Sequence, residues 1–182
     1  MKDATLLEKM ELPEGIEAKV EDKRIIVKGE KGEVEKNFRD PKVKLKVEGR
    51  EIAFYSKVFT KREKKLLGTY KAHLRNMFKG VLEGHIYKLK ICSGHFPMNV
   101  SLSGDNFEVK NFFGEKIPRT MRIREGVKGK VEGEYIVLEG VDKERVAQTA
   151  AAMERLTSRA SFDKRIFQDG IYIVDKDGKE IA

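Results

Sequence analysis

The tightest constraint on this chain is that one half of it repeats in the other. Val43-Lys44-Leu45-Lys46-Val47-Glu48-Gly49 recurs as Val127-Lys128-Gly129-Lys130-Val131-Glu132-Gly133, an offset of 84. Leu12-Pro13 recurs as Phe96-Pro97 at the same offset, and Ile16 falls on Val100. A period this long in 182 residues predicts two similar lobes in tandem, 1–82 and 83–182, rather than one continuous core.

The local patterns say what each lobe contains. Ile16 to Val20 and Arg24 to Lys28 alternate apolar and polar, which predicts two strands about a tight turn. Val43 to Val47 and Glu51 to Lys57 predict a second hairpin turning at Gly49-Arg50. Thr60 is placed to cap a helix, because its hydroxyl can accept an otherwise orphaned N–H of the first turn. Beyond it Leu66, Leu67, Tyr70, Leu74, Met77, Phe78 and Val81 keep three- and four-residue spacing, one apolar stripe on a helix that Gly80 and Gly84 would end. The second half runs the same course. Met98 to Ser103, Phe107 to Lys110, Lys128 to Glu132 and Tyr135 to Glu139 alternate like strands. Asp142 can cap a helix with Val146, Thr149, Ala150, Met153 and Leu156 on its buried side. Shifted by 79, Leu74 meets Met153 and Met77 meets Leu156. A last strand follows at Gly170 to Asp175, and Ile86 to Ile91 would link the lobes or add a strand. The expected class is α+β, each lobe an antiparallel sheet covered by one helix.

Charge narrows the partners. The formal charge is +8 with a pI near 9.4, which favours a polyanion without naming one. Eight basic residues between Lys57 and Lys79 stand against a single acid, Glu63. Within them Lys71, Arg75 and Lys79 recur every four residues and would line one side of the helix, away from the apolar stripe. A second basic stretch carries Lys116, Arg119, Arg122, Arg124, Lys128 and Lys130, and a third carries Arg155, Arg159, Lys164 and Arg165. Such clusters suit phosphate contact, although each basic residue alone is as readily a solvated surface group. No aromatic–basic signature of an RNA-reading sheet stands out, so recognition of shape and backbone is expected instead.

Several classes are disfavoured. Cys92 is the sole cysteine, which rules out a disulfide within the chain and predicts an intracellular protein. Residues 1–7 lack the apolar run of a signal peptide, and no stretch reaches the length of a membrane span. His85, Cys92 and His95 lie close together, but a structural zinc site needs a fourth ligand at a recognisable spacing, so no metal or other cofactor is expected. Gly29-Glu30-Lys31-Gly32 lacks the ending of a phosphate-binding loop and suits a hairpin tip. Acids are interleaved with lysines, and no pair stands out as general acid and base. Catalysis and a small-molecule substrate are not expected.

Arg155 to Tyr172 behaves differently from its surroundings. It holds four basic residues, Phe162, Phe167 and a Gln168-Asp169-Gly170 turn. The glycine would permit either a tight structural turn or close approach of a partner.

These features resemble the archaeal branch of the ribosomal protein L6 family of the large subunit. The resemblance rests on Leu12-Pro13-Glu14-Gly15, Leu67-Gly68-Thr69, Asn76-Met77-Phe78-Lys79-Gly80-Val81, Gly94-His95-Phe96-Pro97 and Phe167-Gln168-Asp169-Gly170-Ile171-Tyr172. It covers nearly the whole chain. It implies two α+β lobes, no catalysis, a cytoplasmic ribosome as the location and neighbouring ribosomal proteins as partners. It also implies binding to large-subunit ribosomal RNA near the sarcin–ricin loop and stalk base, in support of translation. The second lobe would make the main contacts through Arg165, Gln168, Gly170 and Tyr172, with Arg155, Arg159 and Lys164 as phosphate contacts. Bacterial members are richer in lysine and glycine at the position of Gln168-Asp169-Gly170. Charge points instead to the first helix, so Lys71, Arg75 and Lys79 are expected as a secondary surface. The rival readings are a free RNA-binding processing or chaperone factor, a protein scaffold with solubilising charge, and, last, an enzyme built on His73, His85 or His95.

Overall fold

A computed structural model describes residues 5–21, 23–38, 40, 42–94, 96–160, 162–163 and 165–181. The chain forms two compact units, 1–84 and 85–182.

The first unit runs β1 (Thr5–Glu11), β2 (Glu17–Glu21), β3 (Arg24–Gly29), β4 (Gly32–Asn37), β5 (Val43–Glu48), β6 (Glu51–Ser56) and α1 (Lys61–Leu82). All its strand pairs are antiparallel, in two three-stranded sheets ordered β1-β6-β5 and β2-β3-β4. Expectation had one sheet per lobe, and the structure has two. β1 and β4 carry little apolar content at the alternate positions that betray a strand, and pairing with β6 and β3 defines them instead. The core joins Ile25 and Val27 of β3, Ile52 and Phe54 of β6, and Leu74, Met77 and Val81 of α1.

α1 begins as anticipated. Thr60 caps it, accepting the Arg62 N–H, while the Glu63 carboxylate accepts the Thr60 N–H at 3.1 Å. The hydrogen bond from Thr60 holds the Glu63 carboxyl below its ordinary value. Gly80 does not end the helix. It is buried inside it, and the turn comes at Gly84, whose φ of +82° suits a residue without Cβ. Gly29 meets the same helix end: a Cβ there would stand 2.8 Å from the Val81 carbonyl, which accepts the Lys31 N–H.

The second unit runs β7 (His85–Cys92), β8 (Asn99–Ser103), β9 (Asn106–Lys110), a short 3-10 turn (Phe112–Gly114), β10 (Arg119–Arg122), β11 (Val127–Glu132), β12 (Tyr135–Gly140), α2 (Lys143–Leu156), β13 (Gly170–Lys176) and β14 (Lys179–Glu180). Its sheets are β10-β9-β8 and β11-β12-β7-β13-β14. The segment left open between linker and strand is therefore β7, paired antiparallel with both β12 and β13. The duplication is visible element by element. β5 and β11 share one burial pattern, from a buried Val43 or Val127 onward, and the β1-β6-β5 order recurs as β7-β12-β11. What the second unit adds is β13 and β14 along the edge of β7. Its core gathers Leu89, Phe107, Ile136, Leu138, Val146, Met153 and Ile171. Asp142 caps α2, accepting the Glu144 N–H at 2.8 Å.

Candidate nucleic-acid interface

The region singled out between α2 and β13 is pinned at both ends. Thr157, buried just past α2, accepts the Ile171 N–H on Oγ1 at 2.9 Å and donates to the Glu154 carbonyl at 3.3 Å. At the other end the buried Asp169 carboxylate accepts the N–H of Gly94 at 2.7 Å and of Phe96 at 3.1 Å. A buried carboxylate needs such donors, and here they tie the loop to the segment after β7.

Aromatic rings hold the middle of the loop. Phe113, at φ +50°, stacks with Phe162 at 5.3 Å between ring centres and meets Phe167 edge-on at 6.0 Å. Phe162 and Phe167 are themselves edge-to-face at 4.9 Å. The Arg159 guanidinium lies 4.3 Å over the Phe162 ring. This contact sets Arg159 beside a recess of about 210 Å³ that Arg155, Tyr172 and Glu154 also line. Burial lifts the Tyr172 phenol above its ordinary value, with Cys92, Asp169 and Glu154 nearby adding to the effect, so the hydroxyl stays protonated at neutral pH.

The anticipated residues divide accordingly. Arg155, Arg159 and Tyr172 share this recess. Arg155 is exposed and bonds back to the Ala151 carbonyl through Nε at 3.2 Å. Arg165 is exposed but engages Asp163, with Nη2 to Oδ2 at 2.9 Å, and this partner holds the Asp163 carboxyl below its ordinary value. Gln168 lines a different, larger cavity of about 490 Å³ with Lys90, Cys92, Asn99 and Glu134. Gly170 is buried, and a Cβ there would stand 3.1 Å from the Tyr172 hydroxyl. Its lack of a side chain makes room for Tyr172, so the close approach it permits is internal. Lys164 lies outside the described residues, as does His95.

Other basic stretches change character. Arg119 is structural: Nε and Nη2 bond Glu115 at 2.7 Å each, Nη1 reaches the Leu156 carbonyl at 2.6 Å, and the guanidinium covers the Phe112 ring at 4.3 Å. Lys130 is exposed and pairs with Glu132 at 2.6 Å, and Arg122, Arg124 and Lys128 are exposed too. In the first unit Lys71 is half-buried and ion-paired with Glu8 of β1, Lys79 is half-buried, and Arg75 is exposed. The even spacing of three cations thus does not yield three equivalent ones.

Residues that spacing did not single out also matter. Phe113 positions the loop. Strand register sets Tyr135 and Tyr172 directly opposite Lys90 on its two neighbouring strands, an aromatic–basic row across the second sheet. Sequence reading missed that row because its members come from three distant segments. Among the described residues no group of three or more His, Cys, Asp or Glu could hold a metal ion, and His85 is buried with Nδ1 2.7 Å from Asp177. No described helix is long and apolar enough to cross a membrane.

Comparison with known proteins matches this arrangement lobe by lobe. The family model described as Ribosomal protein L6 matches twice, over residues 12–84 and 96–170. The chain is 43% identical over 177 residues to the large ribosomal subunit protein uL6 of Aeropyrum pernix, covering 97% of each chain. It is 41% identical over 176 residues to that of Methanococcus vannielii, again covering 97% of each, and 44% identical over 172 residues to that of Desulfurococcus amylolyticus, covering 93% and 94%. Two matches in tandem, one in each unit and each containing that unit's helix, identify the duplicated lobe itself: the chain belongs to the ribosomal protein L6 family, a family of structural ribosomal proteins rather than enzymes.

Proposed function

We propose that this chain is a structural constituent of the large ribosomal subunit in the cytoplasm, holding ribosomal RNA beside neighbouring ribosomal proteins. The observation that carries this reading is the similarity to archaeal uL6 proteins along almost the full length of both chains. The RNA contact we assign is the second lobe, 83–182, near the sarcin–ricin loop and stalk base. Arg155, Arg159, Lys164 and Arg165 would face phosphates, with Gln168 and Tyr172 beside them and Gly170 supporting the tyrosine. What supports the choice of lobe is that Thr157 and Asp169 are tied by hydrogen bonds while Arg155 and Arg165, between β12 and β13, are exposed. Arg75, flanked by Lys71 and Lys79, serves as the secondary surface.

The test is nuclease footprinting of the full chain on large-subunit ribosomal RNA at two salt concentrations. Wild type is compared with a variant in which Arg155, Arg159, Lys164 and Arg165 are alanine. One discrete protected site, lost in the variant, is the expected result. Diffuse protection that fades with salt and ignores those four residues would instead indicate non-specific charge binding and would sink the ribosomal reading. A discrete site on precursor RNA, with the protein sedimenting away from mature subunits, would favour a processing or chaperone factor.

A further inference from the structure

We infer that the recess beside Arg159 receives a single unstacked nucleobase of the bound RNA, so that the second lobe reads one flipped-out nucleotide as well as gripping phosphates. This rests on the RNA-binding reading above and specifies its chemistry.

Four observations converge on a base. The recess holds about 210 Å³, below the roughly 300–1,000 Å³ of sites that enclose larger ligands, which suits one flat ring system. One wall is a guanidinium held over an aromatic ring, with Arg159 Cζ 4.3 Å from the centre of Phe162 and 5.7 Å from that of Phe113. A guanidinium lining the recess offers a platform there, since splayed RNA bases stack on guanidinium planes as well as on aromatic rings. Tyr172 supplies a protonated hydroxyl and Glu154 a carboxylate at the same recess, a donor and an acceptor of the kind that read a base edge. Arg155, exposed at its rim, is placed for the adjoining phosphate.

Preorganisation argues the same way. Ordering an arginine at a binding surface costs conformational freedom, and here the cation–π contact has met that cost before RNA arrives. Thr157 and Asp169 fix the two ends of the loop that carries it.

The experiment probes backbone and base separately in the complex of the full chain with large-subunit ribosomal RNA. Hydroxyl radicals report the backbone and base-modifying reagents report each nucleobase, for wild type, Arg159→Lys and Tyr172→Phe. Lysine keeps the charge and loses the flat platform, and phenylalanine loses only the hydroxyl. The expected result is one unpaired base protected by wild type and exposed by Arg159→Lys, with the backbone footprint retained and affinity down about tenfold. Removing that base, by an abasic nucleotide, should weaken wild type but leave Arg159→Lys unchanged, a coupling that mere loosening of the loop would not produce. A discrete backbone footprint in which no base responds to either substitution overturns the base pocket and leaves the ribosomal reading standing. Absence of any discrete footprint overturns both.

Discussion

Asp169 Oδ1 accepts the backbone N–H of Gly94 at 2.7 Å, joining two segments 75 positions apart through a carboxylate that is only 3% exposed. Oδ2 takes the Phe96 N–H in the same way. These bonds place the turn into β13 and the segment after β7 as one piece, and the recess lined by Arg155 and Tyr172 takes its shape from them.

Asp169→Ala removes the acceptor of the Gly94 and Phe96 amides, at a cost of about 1.5–3 kcal/mol for the loss of hydrogen bonds to a charged group. Denaturant unfolding should show that loss. Hydrogen exchange at 94 and 96 should rise by more than elsewhere. Asp169→Asn, which keeps one carbonyl oxygen, should lose less. Equal stability of Asp169→Ala and wild type would mean the two bonds contribute nothing.

Gly140→Ala tests the packing of α2 against its sheet. A Cβ there would stand 2.9 Å from the Gly126 carbonyl and 2.7 Å from Val146 Cγ2. A backbone oxygen cannot rotate aside, so overpacking of about 1–3 kcal/mol is expected, read as a drop in unfolding midpoint. Gly133→Ala is a control in a different regime: it has open space, and its cost is the strain of φ +61° alone.

Acid should loosen the second lobe through Glu115. The Arg119 guanidinium, by hydrogen bond and charge, holds the Glu115 carboxyl below the ordinary value of 4.5. The unfolded chain therefore takes up this proton first as pH falls. The stabilisation is whole above about pH 4.5 and is lost as pH drops through the lower folded value. Thermal midpoints measured from pH 7 to 3 should fall less steeply for Glu115→Gln than for wild type. Parallel curves would show that the pair does not contribute.

Releasing Arg165 should strengthen RNA binding. Its guanidinium is held by Asp163, with Nε to Oδ1 at 3.1 Å and Nη2 to Oδ2 at 2.9 Å. Asp163→Asn removes the competing negative charge. We expect tighter binding by a few-fold and a steeper dependence of log affinity on log salt, by about one counterion. An unchanged slope would place Arg165 away from the phosphates.

Much of this architecture was legible in the residues alone. The repeat at 84 forecast twin lobes, period-two alternation located β2, β3, β8, β9, β11 and β12, the hairpin turn at Gly49-Arg50 located β5 and β6, and β13 was placed after the second helix. Thr60 and Asp142 marked both helix starts. These signals are local: a strand or helix that buries one face must write that face into its own spacing. The extra sheet escaped because β1, β4 and β10 take their identity from partners. The cationic stretches misled for a related reason. A lysine or arginine looks the same in sequence whether it faces solvent or, as Lys71 does with Glu8 and Arg119 with Glu115 and Leu156, answers a group elsewhere in its lobe.

The sequence by itself thus determined the class of fold, the doubling and the positions of the helices, because burial on one face is periodic along the chain. Tertiary structure alone decided which cations remain at the surface, which ring supports Arg159, and that Tyr172 stands opposite Lys90. Those relations depend on register and on pairings across dozens of residues, where no periodicity in the chain records them.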